Sequence, residues 1–304
     1  MARRRRQDGR PVNGILLLDK PKGLTSNAAL QQVKRIFAAR KAGHTGSLDP
    51  LATGMLPICF GEATKLSGFL LDSNKYYQAV IKLGERTNTG DAEGEVIEQR
   101  DYSSVTMGQL EEILLDFNGV IEQIPPMHSA LKQNGQPLYK LAHQGIVVER
   151  APRQVTIYDL QVISLEGDRL EISVHCSKGT YVRTLAEDIG ERLGCGAHIA
   201  ALHRDGVGTF DIQHMVSMPQ LEAIADTYSA LDGLLMGPDK ALMDWPEIQL
   251  SDDVAYFLKR GQAVMVSKAP SQGLVRVYAK PEQFLGVGHM LDDGRLAPKR
   301  LLSL

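Results

Sequence analysis

The feature that most constrains the fold is a strictly alternating stretch at residues 170–176, where every second side chain is apolar. This period of two is typical of a strand that buries one face and exposes the other. The segment SKGT leads from it into residues 182–193, whose apolar side chains recur at helical spacing up to Gly194. A strand with one apolar face needs a covering layer, so the sequence predicts a sheet packed against a helix.

Further segments extend this prediction. Residues 13–19 form a short apolar run that predicts a strand, and residues 77–83 alternate in the same way as residues 170–176. Ser26 or Asn27 is expected to cap a helix whose apolar side chains share one face. Because strands and helices follow one another in no strict βαβ order, we predict an α+β domain.

Composition is that of an ordinary globular protein, with 304 residues, 43% hydrophobic and 23% charged, and a formal net charge of −2. The length allows one large domain or two. No stretch approaches the roughly 20 apolar residues that a membrane-spanning helix needs, and no apolar run follows the basic N-terminus as in a signal peptide. We therefore expect a cytoplasmic protein that does not bind membranes.

Metal and disulfide chemistry have no support in the sequence. The three cysteines, Cys59, Cys176 and Cys195, are far apart and form no CxxC pair. The eight histidines are dispersed, and none belongs to an HExxH motif. The sequence predicts no metal site.

Four regions differ in composition. Residues 1–10 are a basic arm, expected to be disordered, and residues 11–246 form the main domain. Within that domain, residues 124–153 contain four prolines and several basic side chains but no sustained period, which is typical of a long exposed excursion that is either functional or disordered. A change of composition near Trp245 marks the start of a small domain with short strands at residues 247–304.

Two charged residues stand out by their positions, although each has an ordinary explanation. Asp49 lies in a glycine-rich loop, where it is either a catalytic carboxylate or an aspartate that bonds to its own turn. Arg183 starts the helix after the alternating strand, where it is either an active-site cation or one half of a surface ion pair. Their residue types and positions alone leave both alternatives open.

A set of four motifs favours the active-site interpretation of both residues. They are LLLDKPKGLTS at residues 16–26, GHTGSLDPLATGMLPICFGEATK at 43–65, PPMHSALKQNGQPLYKLA at 125–142 and KGTYVRTLAEDIGERLG at 178–194. Together, and in this order, they resemble the TruB family of pseudouridine synthases of bacterial type. The end of the chain resembles, less distinctly, the small PUA-like RNA-binding domain of bacterial members.

The resemblance implies a fold and a reaction. The fold is a catalytic domain with a mixed, mainly antiparallel sheet, followed by a small, mostly β domain. The reaction converts the uridine at position 55 in the T loop of tRNA to pseudouridine, without a cofactor, after the base has been flipped out of its loop. The implied partner is the T arm of tRNA, and the protein is expected to be a monomer with no obligate protein partner.

The resemblance also assigns residues. Asp49 matches the catalytic aspartate, which acts on the ribose either by attack at C1′ or by removal of the C2′ proton, and Arg183 matches the arginine that compensates its charge. Tyr77 matches the aromatic residue of the catalytic site. The substrate-binding residues that it implies are His44, Leu202, Lys20, Asp91, Lys132, Lys140, Arg150 and Arg153. Of these, Lys20 either reaches a phosphate or braces the catalytic loop, Asp91 is a candidate partner of Arg183, and the last four lie on the excursion that closes on RNA.

Two other functions remain open from the sequence. One is an RNA-binding or tRNA-folding protein whose isomerase activity is secondary or lost. The other is an aspartate-based hydrolase that releases a free base from a nucleoside. The intact set of Asp49, Tyr77 and Arg183 favours catalysis, and the basic excursion favours a macromolecular substrate.

Overall fold

The computed structural model describes residues 9–133, 135–142, 144–280 and 283–303. Most of the predicted basic arm, residues 1–8, therefore lies outside the described residues. Arg10 belongs to the folded part, because its guanidinium forms an ion pair with Asp232 and lies 4.1 Å from the centre of the Tyr228 ring.

The strands are numbered in chain order. They are β1 (Gly14–Lys20), β2 (Ala42–His44), β3 (Thr53–Phe60), β4 (Lys75–Leu83), β5 (Glu85–Thr87), β6 (Val96–Gln99), β7 (Gly119–Gln123), β8 (Lys132–Gln133), β9 (Gln136–Pro137), β10 (Arg153–Glu166), β11 (Arg169–Cys176), β12 (Ala197–Val207), β13 (Val216–Ser217), β14 (Glu247–Gln249), β15 (Val264–Met265), β16 (Gly273–Tyr278), β17 (Phe284–Met290) and β18 (Arg295–Leu301).

The α-helices are short. They are α1 (Ser26–Ile36), α2 (Ser67–Asp72), α3 (Met107–Leu115), α4 (Leu138–Ala142), α5 (Val182–Arg192), α6 (Met218–Ala223), α7 (Tyr228–Gly233) and α8 (Asp252–Lys259). Single turns of 3₁₀ helix occupy Gly61–Leu66, Ile212–His214 and Pro238–Leu242. Among the described residues, no helix has the length and apolar character needed to cross a membrane.

The main sheet runs in the order β13-β1-β3-β12-β4-β11-β10-β7, with β2 paired to β3. Its pairings are antiparallel except β1 with β13 and β3 with β12. This mixed, mainly antiparallel sheet confirms the predicted α+β class. Strand β12 is central to the site described below, because it pairs with β3 on one side and with β4 on the other.

Burial explains why the strands have different sequence patterns. Both faces of β1 and β3 are covered, one by α1, α6 and α7 and the other by a smaller apolar cluster that includes Phe210. Residues 14–18 of β1 are therefore apolar without a break. Strands β4 and β11 bury only the face that packs on α3 and α5. Their opposite face carries exposed side chains such as Tyr76, and they therefore alternate.

The helix predicted after residue 25 is present, but neither Ser26 nor Asn27 caps it. Thr25 is the N-cap residue, and its hydroxyl oxygen accepts a hydrogen bond from the Ala28 N–H at 3.1 Å. Ser26 is the first helical residue, and its hydroxyl bonds instead to Leu48 in the loop that carries Asp49. The prediction was wrong by one residue because adjacent Thr and Ser are both good caps and the tertiary contact of Ser26 decides between them.

The C-terminal residues form a separate five-stranded sheet, in the order β14-β16-β17-β18-β15, with its own apolar core against α8. A second cluster joins this unit to the main domain, since Leu66 and Leu242 pack with Tyr278 and Phe284. The chain thus has a mixed-sheet domain followed by a small, mostly β domain.

Candidate active site

The loop between β2 and β3 carries Asp49, and neighbouring segments hold it on several sides. The Ser26 hydroxyl donates to the Leu48 carbonyl at 3.0 Å and accepts from the Leu48 N–H at 2.7 Å. The Gly23 N–H donates to the Pro50 carbonyl at 2.7 Å. Hydrogen bonds therefore fix the backbone on both sides of Asp49, while its side chain keeps 40% of its exposure.

The Asp49 carboxylate faces Arg183 at the start of α5. Arg183 Nε lies 2.9 Å from Asp49 Oδ2, and the Arg183 side chain is only 7% exposed. Arg183 Nη1 lies 3.7 Å from Asp91 Oδ2, so the structure brings together the three residues that the sequence suggested. Glu187 and Asp188, one turn further along α5, are not among the ion-pair partners of Arg183 within the described residues.

Two main-chain carbonyls complete the environment of the guanidinium. Arg183 Nη1 donates to the Thr89 carbonyl at 3.0 Å, and Nη2 donates to the His128 carbonyl at 2.8 Å. Different nitrogens of the planar guanidinium therefore bond to different partners, and together these bonds fix its orientation. The arginine therefore presents Nε to Asp49 in a defined direction.

Burial raises the pKa of Asp49 above its ordinary value, and the nearby Asp91 carboxylate acts in the same direction. The positive charge of Arg183 opposes this rise and favours the ionised carboxylate. An ionised carboxylate that is oriented and partly desolvated can act as a nucleophile or as a base.

Tyr77 and Leu202 lie on neighbouring strands and belong to one apolar cluster. Tyr77 of β4 packs against the core under α5, and Leu202 of β12, opposite Ala79, is 9% exposed in the same cluster. Burial raises the pKa of the Tyr77 phenol, and Asp49 is close enough to raise it further, so the phenol stays protonated at neutral pH. Tyr77 therefore lies within electrostatic reach of the Asp49 carboxylate.

The comparisons with known proteins agree with this geometry. Residues 34–182 match the N-terminal domain of the TruB family of pseudouridylate synthases, residues 183–243 the tRNA pseudouridylate synthase B C-terminal domain, and residues 246–302 the pseudouridine synthase II TruB C-terminal region. A protein of Nitrosococcus oceani named tRNA pseudouridine synthase B is 54% identical over 303 residues, which is 99% of this chain and 98% of that protein. A protein of the same name from Aliivibrio salmonicida is 52% identical, covering 99% of this chain and 97% of its relative.

The chain belongs to the TruB family. The resemblance carried by the four sequence motifs is therefore confirmed. The fold is also shared with a solved Cbf5-Nop10-Gar1 complex, at a TM-score of 0.72 and 24% identity over 96% of this chain and 83% of that one. A solved archaeal Nop10-Cbf5 complex matches with a TM-score of 0.71 and 22% identity over 99% of this chain and 93% of that chain.

Two of the residues implied by the TruB resemblance lie on segments next to the catalytic loop. Lys20 is fully buried, and its Nζ donates to the carbonyls of Pro21 at 2.9 Å and Leu24 at 2.7 Å. Burial lowers the pKa of Lys20 to about 8. These bonds hold the turn whose Gly23 N–H donates to the Pro50 carbonyl, and the two roles that the sequence left open for Lys20 stay predictions.

His44 is half-buried at the end of β2, and its Nδ1 has no hydrogen-bond partner among the described residues. Burial lowers the pKa of His44, and the nearby charge of Arg204 adds to the effect. The imidazole is therefore neutral at pH 7. Its Nδ1 is shielded from solvent, and a role of His44 in holding RNA stays a prediction.

The excursion leaves the main sheet at β7 and returns at β10, where Gln123 and Arg153 are paired. It contains β8, β9 and α4. Lys132, Lys140 and Arg153 are exposed on it, as a phosphate-binding role requires. Arg150 has a different position, because its Nη1 donates to the Pro125 carbonyl at 3.1 Å and joins the two ends of the excursion.

Gln123 is a positioning residue that the sequence gave no reason to select. It is 2% exposed, and its side-chain amide donates to the Tyr181 carbonyl at 3.3 Å and accepts from the Tyr181 N–H at 3.0 Å. Tyr181 is the N-cap residue of α5 and has no side-chain cap of its own. Gln123 thus ties the base of the excursion to the helix start that carries Arg183.

The sequence also gave no reason to select Arg204 as a residue of the site. It is 1% exposed and lies two residues after Leu202 on β12, so the period of two in this strand was the signal that could have placed it toward the site.

Within the described residues there is no cluster of three or more histidine, cysteine or acidic side chains that could hold a metal ion.

Proposed function

We propose that this TruB-family chain converts uridine 55 in the T loop of tRNA to pseudouridine, with Asp49 as the catalytic residue. The observation that carries the proposal is the Asp49 carboxylate, which lies 2.9 Å from the buried Arg183 guanidinium. The names of relatives that are 52–54% identical over nearly the whole chain support the same reaction on the same class of RNA.

The reaction is an isomerisation, so its atoms balance within the substrate. The bond from C1′ to N1 breaks, the uracil turns, and a bond forms from C1′ to C5. N1 gains a proton, and C5 loses one. Asp49 acts on the ribose, at C1′ as a nucleophile or at C2′ as a base, and both roles need the ionised carboxylate that Arg183 favours.

The target base must leave its stack before this chemistry can occur. Flipping costs a few kcal/mol of unstacking, which contacts in the site must offset. Tyr77 offers an aromatic face and Leu202 an apolar surface for the flipped uracil. The exposed Lys132, Lys140 and Arg153 on the excursion are suited to the phosphates of the T arm. We propose that one copy of the chain is sufficient for this reaction.

The test is tritium release from a tRNA transcript labelled at uridine C5. The native chain is expected to release tritium from uridine 55, and a transcript with cytidine at that position should release none. Asp49→Asn should abolish release while still binding tRNA. Asp72→Asn is a matched control because Asp72 is 63% exposed and pairs with Lys178 away from Arg183, and it should react like the native chain.

The other outcomes distinguish the alternatives. Tight tRNA binding without release by the native chain would overturn the proposal in favour of a tRNA-folding protein. Free uracil among the products would indicate a hydrolase. Full activity of Asp49→Asn would show that another group carries the reaction.

A further inference from the structure

Arg204 is among the largest side chains that the fold buries completely. It lies on β12 between two strands, opposite Gly54 of β3 and opposite Tyr77 of β4. The approach to β3 is so close that a Cβ atom at Gly54 would lie 2.4 Å from the Arg204 carbonyl oxygen, and Gly54 has φ +95°. Only glycine fits there without strain, and it allows Arg204 to reach the catalytic loop.

The guanidinium of Arg204 bonds to strand β3 and to the loop that precedes it. Its Nε donates to the Met55 carbonyl at 2.7 Å, and its Nη2 donates to the Gly46 carbonyl at 3.2 Å. Across the sheet it lies directly opposite Tyr77, and its charge acts on the Tyr77 phenol. Gly46 lies three residues before Asp49, so one buried residue both bonds to the Asp49 loop and neighbours Tyr77.

The guanidinium of Arg204 has only donors, and its bonds described above are to main-chain carbonyls. Within the described residues Arg204 has no ion pair with a carboxylate. A buried cation without a counter-charge is costly for the fold. The Met55 and Gly46 carbonyl oxygens are the groups that compensate it.

Building on the function proposed above, we infer that Arg204 is a positioning residue that sets Tyr77 relative to the Asp49 loop. A misplacement of reacting groups by about 1 Å costs on the order of 100-fold in rate. The same positive charge opposes the effect of burial on the pKa of Tyr77. Arg204 therefore acts on the reaction through the orientation and charge of the phenol, without touching the substrate.

The chain supplies a matched control. Arg276 of β16 is also buried, at 8% exposure, and it donates to the Trp245 carbonyl at 3.1 Å and to the Tyr278 hydroxyl at 3.3 Å. Like Arg204, it is buried, bonds to a main-chain carbonyl and neighbours a tyrosine, but it lies in the C-terminal domain and also pairs with Glu247 at 3.6 Å. Arg204→Lys and Arg276→Lys therefore compare the same chemical change inside and outside the site.

The first experiment measures tritium release in single turnovers and the Kd for tRNA. Arg204→Lys is expected to reduce the rate of release by about 10- to 100-fold with a Kd within about twofold of the native chain. Arg276→Lys should leave both quantities unchanged. Equal rates for the native chain and Arg204→Lys would overturn the inference, whereas absence of release by the native chain would overturn the proposed function instead.

A double-mutant cycle separates positioning from a general structural role. If Arg204 acts through the phenol, the rate loss caused by Arg204→Lys should be much smaller in a Tyr77→Phe background than in the native chain. Losses that multiply would overturn the inference. Nitrogen-15 NMR of the arginine side chains tests the same inference without an Arg204 variant that must fold. The Tyr77→Phe variant should shift the NMR signals of Arg204 and leave those of Arg276 unchanged. Unchanged Arg204 signals would contradict the inference.

Discussion

Replacing Arg183 by methionine removes the charge that faces Asp49 and keeps a side chain of similar length. The guanidinium is 7% exposed, and its Nε lies 2.9 Å from the carboxylate. Breaking a buried pair by removing one partner costs about 3–5 kcal/mol. Because Asp49 is 40% exposed, water screens part of this interaction, and we take about 2–3 kcal/mol. At 1.36 kcal/mol per tenfold, kcat should fall by about 30- to 200-fold.

The pH dependence gives a second and more specific signature. The pKa of Asp49 already lies above its ordinary value because of burial, and Arg183 is the main group that lowers it. Without Arg183 the pKa rises further. The reactive carboxylate is then lost at a higher pH as the solution is acidified, so the acid limb of the rate profile should move upward. Part of the lost activity should return at high pH.

Single-turnover tritium release over about four pH units measures both effects. Arg192→Met is the control on the same helix, since Arg192 pairs with Asp116 at an exposed site and should leave the profile unchanged. Arg183→Lys retains a charge but loses the fork that binds the Thr89 and His128 carbonyls, so it should reduce kcat with little movement of the acid limb. An unchanged kcat in Arg183→Met, or a reduced kcat with an unmoved acid limb, would refute the electrostatic role.

Two further predictions concern the excursion. Gln123→Leu removes both bonds to the Tyr181 main chain and leaves its buried polar groups unsatisfied, so the free energy of unfolding in urea should fall by about 2–4 kcal/mol. A loss below about 1 kcal/mol, the cost of an ordinary surface change, would contradict it. Changing Lys132, Lys140 and Arg153 to glutamine should weaken tRNA binding and reduce the slope of log K against log salt by about 2–3. A slope equal to that of the native chain would show that these side chains do not bind phosphates.

Periodicity was sufficient to predict much of the main sheet. Strands β4 and β11 bury one face, and the alternation of residues 77–83 and 170–176 is a direct consequence. The short apolar run at residues 13–19 also became a strand, β1, although its two covered faces leave no alternation to read. The order of the strands in the sheet could not be predicted from periodicity. Pairings such as β12 with both β3 and β4 join residues far apart in the chain, and the local spacing of residues does not specify them.

The site was predictable to a similar extent. Asp49 and Arg183 each had an ordinary explanation in the sequence, and only the family resemblance joined two residues 134 positions apart. Neither the residue patterns nor the family resemblance selected Gln123 or Arg204. Long polar side chains are mostly exposed, so a hydrophobic pattern assigns them to the surface. Their partners here are main-chain groups of remote segments, which residue type does not encode.

These main-chain contacts have a consequence for how the site responds to pH. Ser26, Gln123 and Arg204 hold the loop and the helix start through bonds to peptide groups, and none of these bonds involves a group that titrates near neutral pH. These three contacts therefore keep their geometry in the acid range in which the carboxylate changes charge, and Lys20, whose pKa is about 8, stays charged at a pH well below that value. A pH profile of the reaction then reports the protonation of Asp49 itself rather than loosening of the loop that carries it. This separation is what makes the shift expected for Arg183→Met interpretable as an electrostatic effect.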